Sequence, residues 1–359
     1  MKKQLFASGR MELAGNHTDH QNGRVLAGAL DSGIYAQFEA NGTNYIRIRS
    51  AGFKPFEIRI NQTGVRTADF GTSGALVRGM VSGFRDLGLN VGGFDAVMKS
   101  SLPIGGGLSS SAAFSVLIGR ILSELFNDGQ VQPVVIARTA QEAENKYFGK
   151  PCGLQAQLTI ALGKTVYIDF KTGEIEPVKA DFASMGLTMC LTETGGSHAG
   201  LDTSYARIPA DMIYIANLFD KGVLGNVDPE EFRSKGWDPT SRPVRRAMHF
   251  FDENERVPKM RDALKNRDGE TYMRLMNESG RSSEKLLTNV YTSVTGDTKL
   301  TEGLDLSAKL LDGKGAWRVH GGGFAGCVQA LMPSDYYAYY KQEMDARFGE
   351  SACRRMKLI

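Results

Sequence analysis

The chain has 359 residues, of which 42% are hydrophobic and 23% charged, the balance of a soluble globular protein and not of a disordered or membrane one. At roughly 150 residues per domain this length predicts two lobes with room for a cleft between them. A net charge of +3 is too small to argue for nucleic acid, and runs such as Arg242, Arg245, Arg246 and Arg354, Arg355, Lys357 read as solvated faces.

The first residues, MKKQLFASGRMEL, start basic but carry no apolar core long enough for a signal peptide. No later run approaches ~18 uninterrupted apolar residues, so neither export nor a membrane span is expected. The segment SGRMELAGNHTDHQNG, Ser8 to Gly23, packs Arg10, Asn16, His17, Thr18 and Asp19 between glycines. Groups that dense can hydrogen-bond several hydroxyls of a polyol, although a polar turn before RVLAGAL would look the same.

Strands follow: GRVLAGALDSGIYAQFEAN is rich in small and β-forming residues, while YIRIRS and FEIRINQ alternate apolar with polar side chains. From Thr72 to Leu87 apolar residues return at helical spacing, and Gly88 stops the helix. FDAVMKSSLPIGGG reads as a strand and loop, SSSAAFSVLIGRILSELF as a long helix, and VVIARTAQEAENKYFG as a second one. Beyond about Asp169, TVYIDF and LTMCLTET look like strands and the charged stretch from Ala247 to Leu287 is mostly helical. The lobes are expected to cover residues 1–175 and 176–359. Cys152, Cys190, Cys327 and Cys353 form no Cys-x-x-Cys pair, which argues against a zinc knuckle or a disulfide frame and fits a reducing cytoplasm.

The most informative segment is SSLPIGGGLSSSAAFSVL. Gly105, Gly106 and Gly107 let the backbone approach an anion closely. Leu108 and the serines Ser109, Ser110 and Ser111 follow at a helix start, where hydroxyls can cap the helix and hold a metal, and where free N–H groups and the helix dipole favour a phosphate. No Gly-Lys-Ser/Thr follows, so this is not the Walker pattern, and no acidic residue stands where a dinucleotide fingerprint needs one. A second glycine-rich loop, VHGGGFAGCVQALM, leads into a strand near the C-terminus.

In this order the segments resemble the galactokinase branch of the GHMP superfamily, named for galactokinase, homoserine kinase, mevalonate kinase and phosphomevalonate kinase. GRMELAGNHTDH is similar to the signature Gly-Arg-Val-Asn-Leu-Ile-Gly-Glu-His-Thr-Asp-Tyr, PIGGGLSSSAA to the ATP-phosphate loop, and GGGFAGC to the third motif. QEAENKYFGKPCGLQAQ follows the segment ending Pro-Cys-Gly-Ile-Met-Asp-Gln, and SHAGLDTSY keeps a His and a Tyr seven apart. The resemblance implies a fold of two α+β lobes with the active site in the cleft between them, and a sugar 1-kinase, galactose leading, that uses ATP and Mg²⁺. It implies that Arg10 steadies the reacting hydroxyl as the catalytic residue, that Asn16, His17, Asp19, Gly153 and Tyr205 bind sugar, and that Gly105 to Ser111 bind the nucleotide. Ser110 or Ser111 with Glu144 would hold the metal. The implied partners are a sugar and ATP, and the implied state is a monomer in the cytoplasm.

Two departures stand out. The family's catalytic Asp falls on Ala156, beside Gln155 in place of Met, and the signature Glu is Asn16. Asn can still make a hydrogen bond where Ala cannot. General-base help contributes about 10²–10⁴-fold, and phosphoryl transfer through a loose transition state depends more on positioning and charge neutralisation. The homoserine kinase branch also lacks this Asp. Three functions therefore stay open: an active galactose kinase, with Asp19 or Asp202 as the nearest replacement carboxylates; a sensor that binds ATP and sugar without turnover; or a kinase for another sugar.

Overall fold

The computed structural model describes residues 2–102, 107–196 and 200–359. The chain opens with β1 (Lys3–Ala14) and β2 (Arg24–Ala40), followed by β3 (Tyr45–Ser50) and β4 (Phe56–Arg59). α1 (Ser73–Asp86), β5 (Phe94–Ser100), α2 (Ser110–Phe126), α3 (Pro133–Glu142) and α4 (Gln155–Leu162) come next, then β6 (Val166–Asp169) and β7 (Glu174–Pro177). The second half holds β8 (Leu187–Glu193), α5 (Asp202–Asn217), α6 (Pro229–Ser234), α7 (Arg242–Lys265), α8 (Gly269–Ser282), α9 (Lys299–Leu311), β9 (Ala316–His320), β10 (Cys327–Pro333), α10 (Tyr337–Phe348) and β11 (Cys353–Arg355).

The first seven strands form one sheet in the order β4-β3-β5-β2-β6-β7, with β1 paired to β2; the last four form an antiparallel sheet, β11-β8-β10-β9. The local reasons are those of the sequence. In β3, Ile46 and Ile48 are buried while Arg47 and Arg49 face water, the period of two that a half-buried strand requires. α1 starts where the Thr72 hydroxyl accepts the Ala75 N–H, and it buries Leu76, Met80 and Phe84. It stops just before Gly88, at φ 72°, a conformation that favours glycine.

The expected division at 175/176 needs correction, because it falls inside β7, a strand of the first sheet. The change of sheet comes between Pro177 and Leu187. One core also runs across both halves: Val116, Leu117 and Ile121 of α2 share a cluster with Met189 and Leu191 of β8 and Leu331 of β10. The end of the chain returns to the first sheet, where Ile359 N–H donates to Ala29 O at 2.9 Å. Among the described residues no helix is long and apolar enough to cross a membrane.

β1 was hidden in the sequence. Its polar half, Ser8 to Ala14, reads as part of a turn, yet it pairs with β2 throughout, with register shifts between Ser8 and Arg10 and between Glu12 and Ala14. Such bulges re-aim side chains. Here they flank Arg10 and Glu12, which lie two residues apart and so share a face.

Candidate active site

The three glycine-bearing motifs converge. Arg10 N–H donates to Leu108 O at 3.2 Å, fastening β1 to the entrance of α2. His17 Nε2 donates to Gly322 O at 3.1 Å, and the Tyr205 hydroxyl donates to Gly323 O at 2.7 Å, so both grip the loop between β9 and β10. Each motif holds left-handed backbone at a residue other than glycine: His17 at φ 58° and Asn22 at 56°, Ser109 at 61° and Phe324 at 60°. Strain of this kind persists where surrounding structure imposes it, and it gathers at functional sites.

At the entrance of α2, Ser109 makes no side-chain cap. The expected capping by serine hydroxyls is thus not what the helix uses. Its first-turn N–H groups have no intrahelical partner, as at any helix start. Gly105 and Gly106 lie outside the described residues, as does His198 of the SHAGLDTSY segment. Gly107 is described, exposed, at φ 67°.

Buried atoms of charged groups that lack a hydrogen-bond partner gather nearby. Arg10 Nε and Nη1 are buried without a hydrogen-bond partner among the described residues, and so is Glu144 Oε1. Burial lowers the Arg10 pKa, against the pull of Glu12, Asp19 and Glu144. Burial likewise raises the Glu144 pKa, against Lys150 and the side chains of Ser111, Gln157 and Cys152. Glu144 sits in a π-helical turn, Ala143–Phe148, that continues α3, a distortion common at functional sites.

On the other side of Arg10, Asp19 Oδ2 accepts the Gln155 N–H at 3.4 Å, at the start of α4. Gly153 is glycine for a local reason: a Cβ there would stand 1.7 Å from Asp19 Oδ2. Of the two replacement carboxylates, only Asp19 faces Arg10; Asp202 opens α5, exposed. Ala156 is half-buried with its methyl against the main core. His17 Nδ1 accepts a hydrogen bond from His20 Nε2 at 3.3 Å, and His20 Nδ1 accepts from Gln21 Nε2 at 3.2 Å. Burial holds both imidazoles below the ordinary range, His20 at about 4.

Asn16 does other work than expected. It is 0% exposed, and its amide is saturated inside the protein. Nδ2 donates to Glu12 Oε1 at 3.0 Å and to Gly321 O at 2.6 Å, while Oδ1 accepts from Ser283 Oγ and Asn289 Nδ2 at 3.2 and 3.0 Å. With both donors and both lone pairs used, no position is left for a ligand. Sequence reasoning also missed the layer that holds Asn16. Glu12 pairs with the fully buried Arg318 at 3.1 Å, and Glu253 Oε1 accepts the N–H groups of Gly15 and Asn16 at 3.0 and 3.3 Å. Burial pushes the Glu253 carboxyl up, but Arg256, His249, Arg318 and the Ser279 hydroxyl together outweigh it and hold it at about 2. No periodic pattern marks such a network.

His249, in the same layer, donates from Nε2 to Asn16 O at 2.9 Å and accepts at Nδ1 from Ser282 Oγ at 2.8 Å. Burial lowers its pKa from 6.5 to about 4. Above pH 6.5 the ring is neutral folded or unfolded, and the stability is complete. As pH falls from 6.5 to 4, the unfolded chain binds a proton that the folded one refuses, so about 3 kcal/mol is expected to be lost from this group. Urea titrations across that range measure the loss, and His249→Gln is expected to remove that part of the slope. A wild-type slope unchanged by the substitution would count against the assignment.

The chain is similar to known proteins. Residues 75–164 match the model of the GHMP kinases N-terminal domain, and residues 3–39 match the galactokinase galactose-binding signature. Mevalonate kinase from Methanococcus jannaschii superposes with a TM-score of 0.70 at 15% identity, covering 100% of this chain and 99% of that one. The galactokinase of Lactococcus lactis, solved with galactose, superposes with a TM-score of 0.86 at 22% identity, covering 99% and 93%. The fold is thus that of a GHMP kinase. Galactokinase from Clostridium beijerinckii is 30% identical over 96% of this chain and 88% of its own length, and that of Clostridium tetani is 28% identical over 97% and 88%. The chain belongs to the galactokinase family.

Proposed function

We propose that the protein is an ATP-dependent sugar 1-kinase that passes the γ-phosphoryl group of ATP to the anomeric hydroxyl of galactose, giving galactose 1-phosphate and ADP. The observation that carries this reading is the gathering of buried, unpartnered Arg10 and Glu144 atoms around the start of α2. Buried ionic groups without partners are expensive, and a phosphate with its cation would supply both partners. The N–H groups opening α2 bind phosphate oxygens, and the fixed charge of Arg10 stabilises the negative charge that develops on the transferred group and the attacking oxygen. Asp19 and the backbone at Gly153 hold the sugar beside Arg10, and Tyr205 completes the pocket from the β9–β10 loop; His17, expected among the sugar ligands, has both ring nitrogens bonded within the protein and instead holds that loop in place. Asn16 is not among the contacts, since its amide is already saturated.

Mg²⁺ fits these residues: Glu144 keeps one buried carboxylate oxygen without a partner, and the Ser111 side chain approaches the same carboxylate, while this ion is usually held by one or two carboxylates with substrate phosphates. Glu144 and Ser111 would hold it, and when bound it neutralises phosphate charge. Glu144→Gln is expected to stabilise the nucleotide-free protein by about 1 kcal/mol, because a buried carboxylate is removed, and to erase the extra thermal stabilisation that Mg²⁺ adds to ATP. Thermal melts with ATP, with and without Mg²⁺, measure both effects.

The missing base limits rate and does not forbid reaction; Asp19 is the carboxylate placed to assist. We assign the protein to the cytoplasm, as a monomer with no partner beyond sugar and ATP. A coupled ADP-release assay over a panel of sugars tests the reading, with turnover on galactose as the expected result. The saturated Asn16 and the methyl at 156 favour a second reading, a kinase for another sugar or a binding sensor. Turnover only on another sugar would establish the first form of it, and binding of ATP and sugar without turnover the second. In an active enzyme, Ala156→Asp raising kcat at least about tenfold would mark the absent base as rate-limiting.

A further inference from the structure

His320 ends β9, immediately before the glycine loop, and is only 3% exposed. Its Nε2 accepts the backbone N–H of Glu12 at 3.1 Å, so that nitrogen carries no proton. Burial, with Arg10 and Arg318 alongside, holds the ring well below the ordinary range. The imidazole is therefore neutral, and its one proton is on Nδ1. That N–H has no acceptor among the described residues. His249 shows what a purely structural histidine looks like in this protein, with both ring nitrogens bonded at 2.8 and 2.9 Å. A buried donor left unpaired costs stability, and such an atom needs a reason.

The reason lies in what Nδ1 faces. A Cβ added to Gly107 would stand 3.5 Å from it, so the imidazole reaches the residues that enter α2. Arg10 is close enough to depress the ring's basicity, and its own Nε and Nη1 are unpaired. The two side chains thus present unused N–H groups around one space, beside a helix entrance that lacks a side-chain cap. A third cation there would repel Arg10 and Arg318; a neutral imidazole adds a directed N–H without adding charge.

Resting on the kinase reading above, we propose that His320 is a further catalytic residue, donating its Nδ1–H to a non-bridging oxygen of the terminal phosphate of ATP. The proton stays on Nδ1 throughout. The bond from the terminal phosphorus to the oxygen of the β-phosphate breaks and ADP leaves, the bond to the sugar oxygen forms and the hydroxyl proton passes to the Asp19 carboxylate, while His320 and Arg10 hold the moving group from adjacent directions. Glu12 acts here as a positioning residue, because its N–H fixes the tautomer.

Two substitutions separate this role from simple anchoring of Glu12. His320→Gln can still offer an acceptor to the Glu12 N–H at the place of Nε2 but has no donor at the place of Nδ1. His320→Asn keeps a donor at the Nδ1 position and loses the acceptor. A hydrogen bond to a charged phosphate is strong enough that His320→Gln is expected to lose about 10- to 100-fold in the preference for Mg·ATP over Mg·ADP, read by calorimetry without sugar. His320→Asn is expected to stay close to wild type. The opposite order, Gln intact and Asn impaired, would make His320 an anchor only and overturn the proposal. In wild-type protein labelled with ¹⁵N-histidine, the His320 Nδ1–H signal is expected to move with Mg·ATP and much less with Mg·ADP; an equal response to both would also overturn it. Wild-type protein that binds neither nucleotide would defeat the kinase reading itself, a different result from either of these.

Discussion

Exchanging Arg10 for methionine is expected to lower kcat about 10³-fold, the upper range for removing one preorganised donor from a developing oxyanion, and to leave the thermal midpoint unchanged or higher. The two effects have one cause. Arg10 Nε and Nη1 are buried without partners, and burial works against its charge. The nucleotide-free protein thus carries a buried guanidinium with unbonded N–H groups, whose desolvation outweighs the attraction of Glu12, Asp19 and Glu144, and an apolar side chain of similar length relieves it. A residue that serves the fold would show the reverse. A fall of several degrees in the midpoint, with kcat reduced less than about tenfold, would make Arg10 a structural residue and remove the centre of the proposed mechanism.

Arg318 is the opposite case. It is 0% exposed and its guanidinium is fully engaged: Nη2 donates to the backbone and side-chain oxygens of Glu12 at 3.0 and 3.1 Å, Nη1 to Ser279 Oγ at 3.2 Å, and Nε to Gln329 Oε1 at 3.2 Å. Arg318→Met is expected to cost about 3–5 kcal/mol, because it leaves the Glu12 carboxylate buried without its cation. Adding Glu12→Gln to the same chain is expected to restore much of the loss, since no bare charge then remains. Urea unfolding of the single and double variants measures both values, and strictly additive losses would show that the two side chains are not coupled.

The outline of the fold was legible wherever one local rule governed a segment. α1 could be read between Thr72 and Gly88 because a cap, an apolar stripe and a glycine all agree there, and β3 because Ile46 and Ile48 alternate with arginines. Two glycine-rich loops and the polar cluster at Arg10 to Asp19 were visible because close backbone approach and dense polarity are written in composition. β1 was not visible, since its inner face carries Ser8, Arg10 and Glu12, polar residues that strand patterning assigns to turns. The layer of Glu12, Asn16, His249, Glu253 and Arg318 was hidden for another reason. Its members come from β1 and the turn after it, α7 and β9, and a buried arginine or glutamate looks like a solvated one until its partner is known. His320 escaped for the same reason: its tautomer depends on an amide more than 300 positions away in the chain (|i−j| = 308).

The contact between Gly153 and Asp19 leaves no room for a methyl group, since an added Cβ would stand 1.7 Å from the carboxylate. For anyone diversifying this protein, the two codons are therefore linked. A library that randomises position 153 while keeping aspartate at 19 is expected to be enriched in glycine, since any larger residue must first push the Asp19 carboxylate away from the Gln155 N–H, whereas shortening residue 19 opens 153 to alanine or serine.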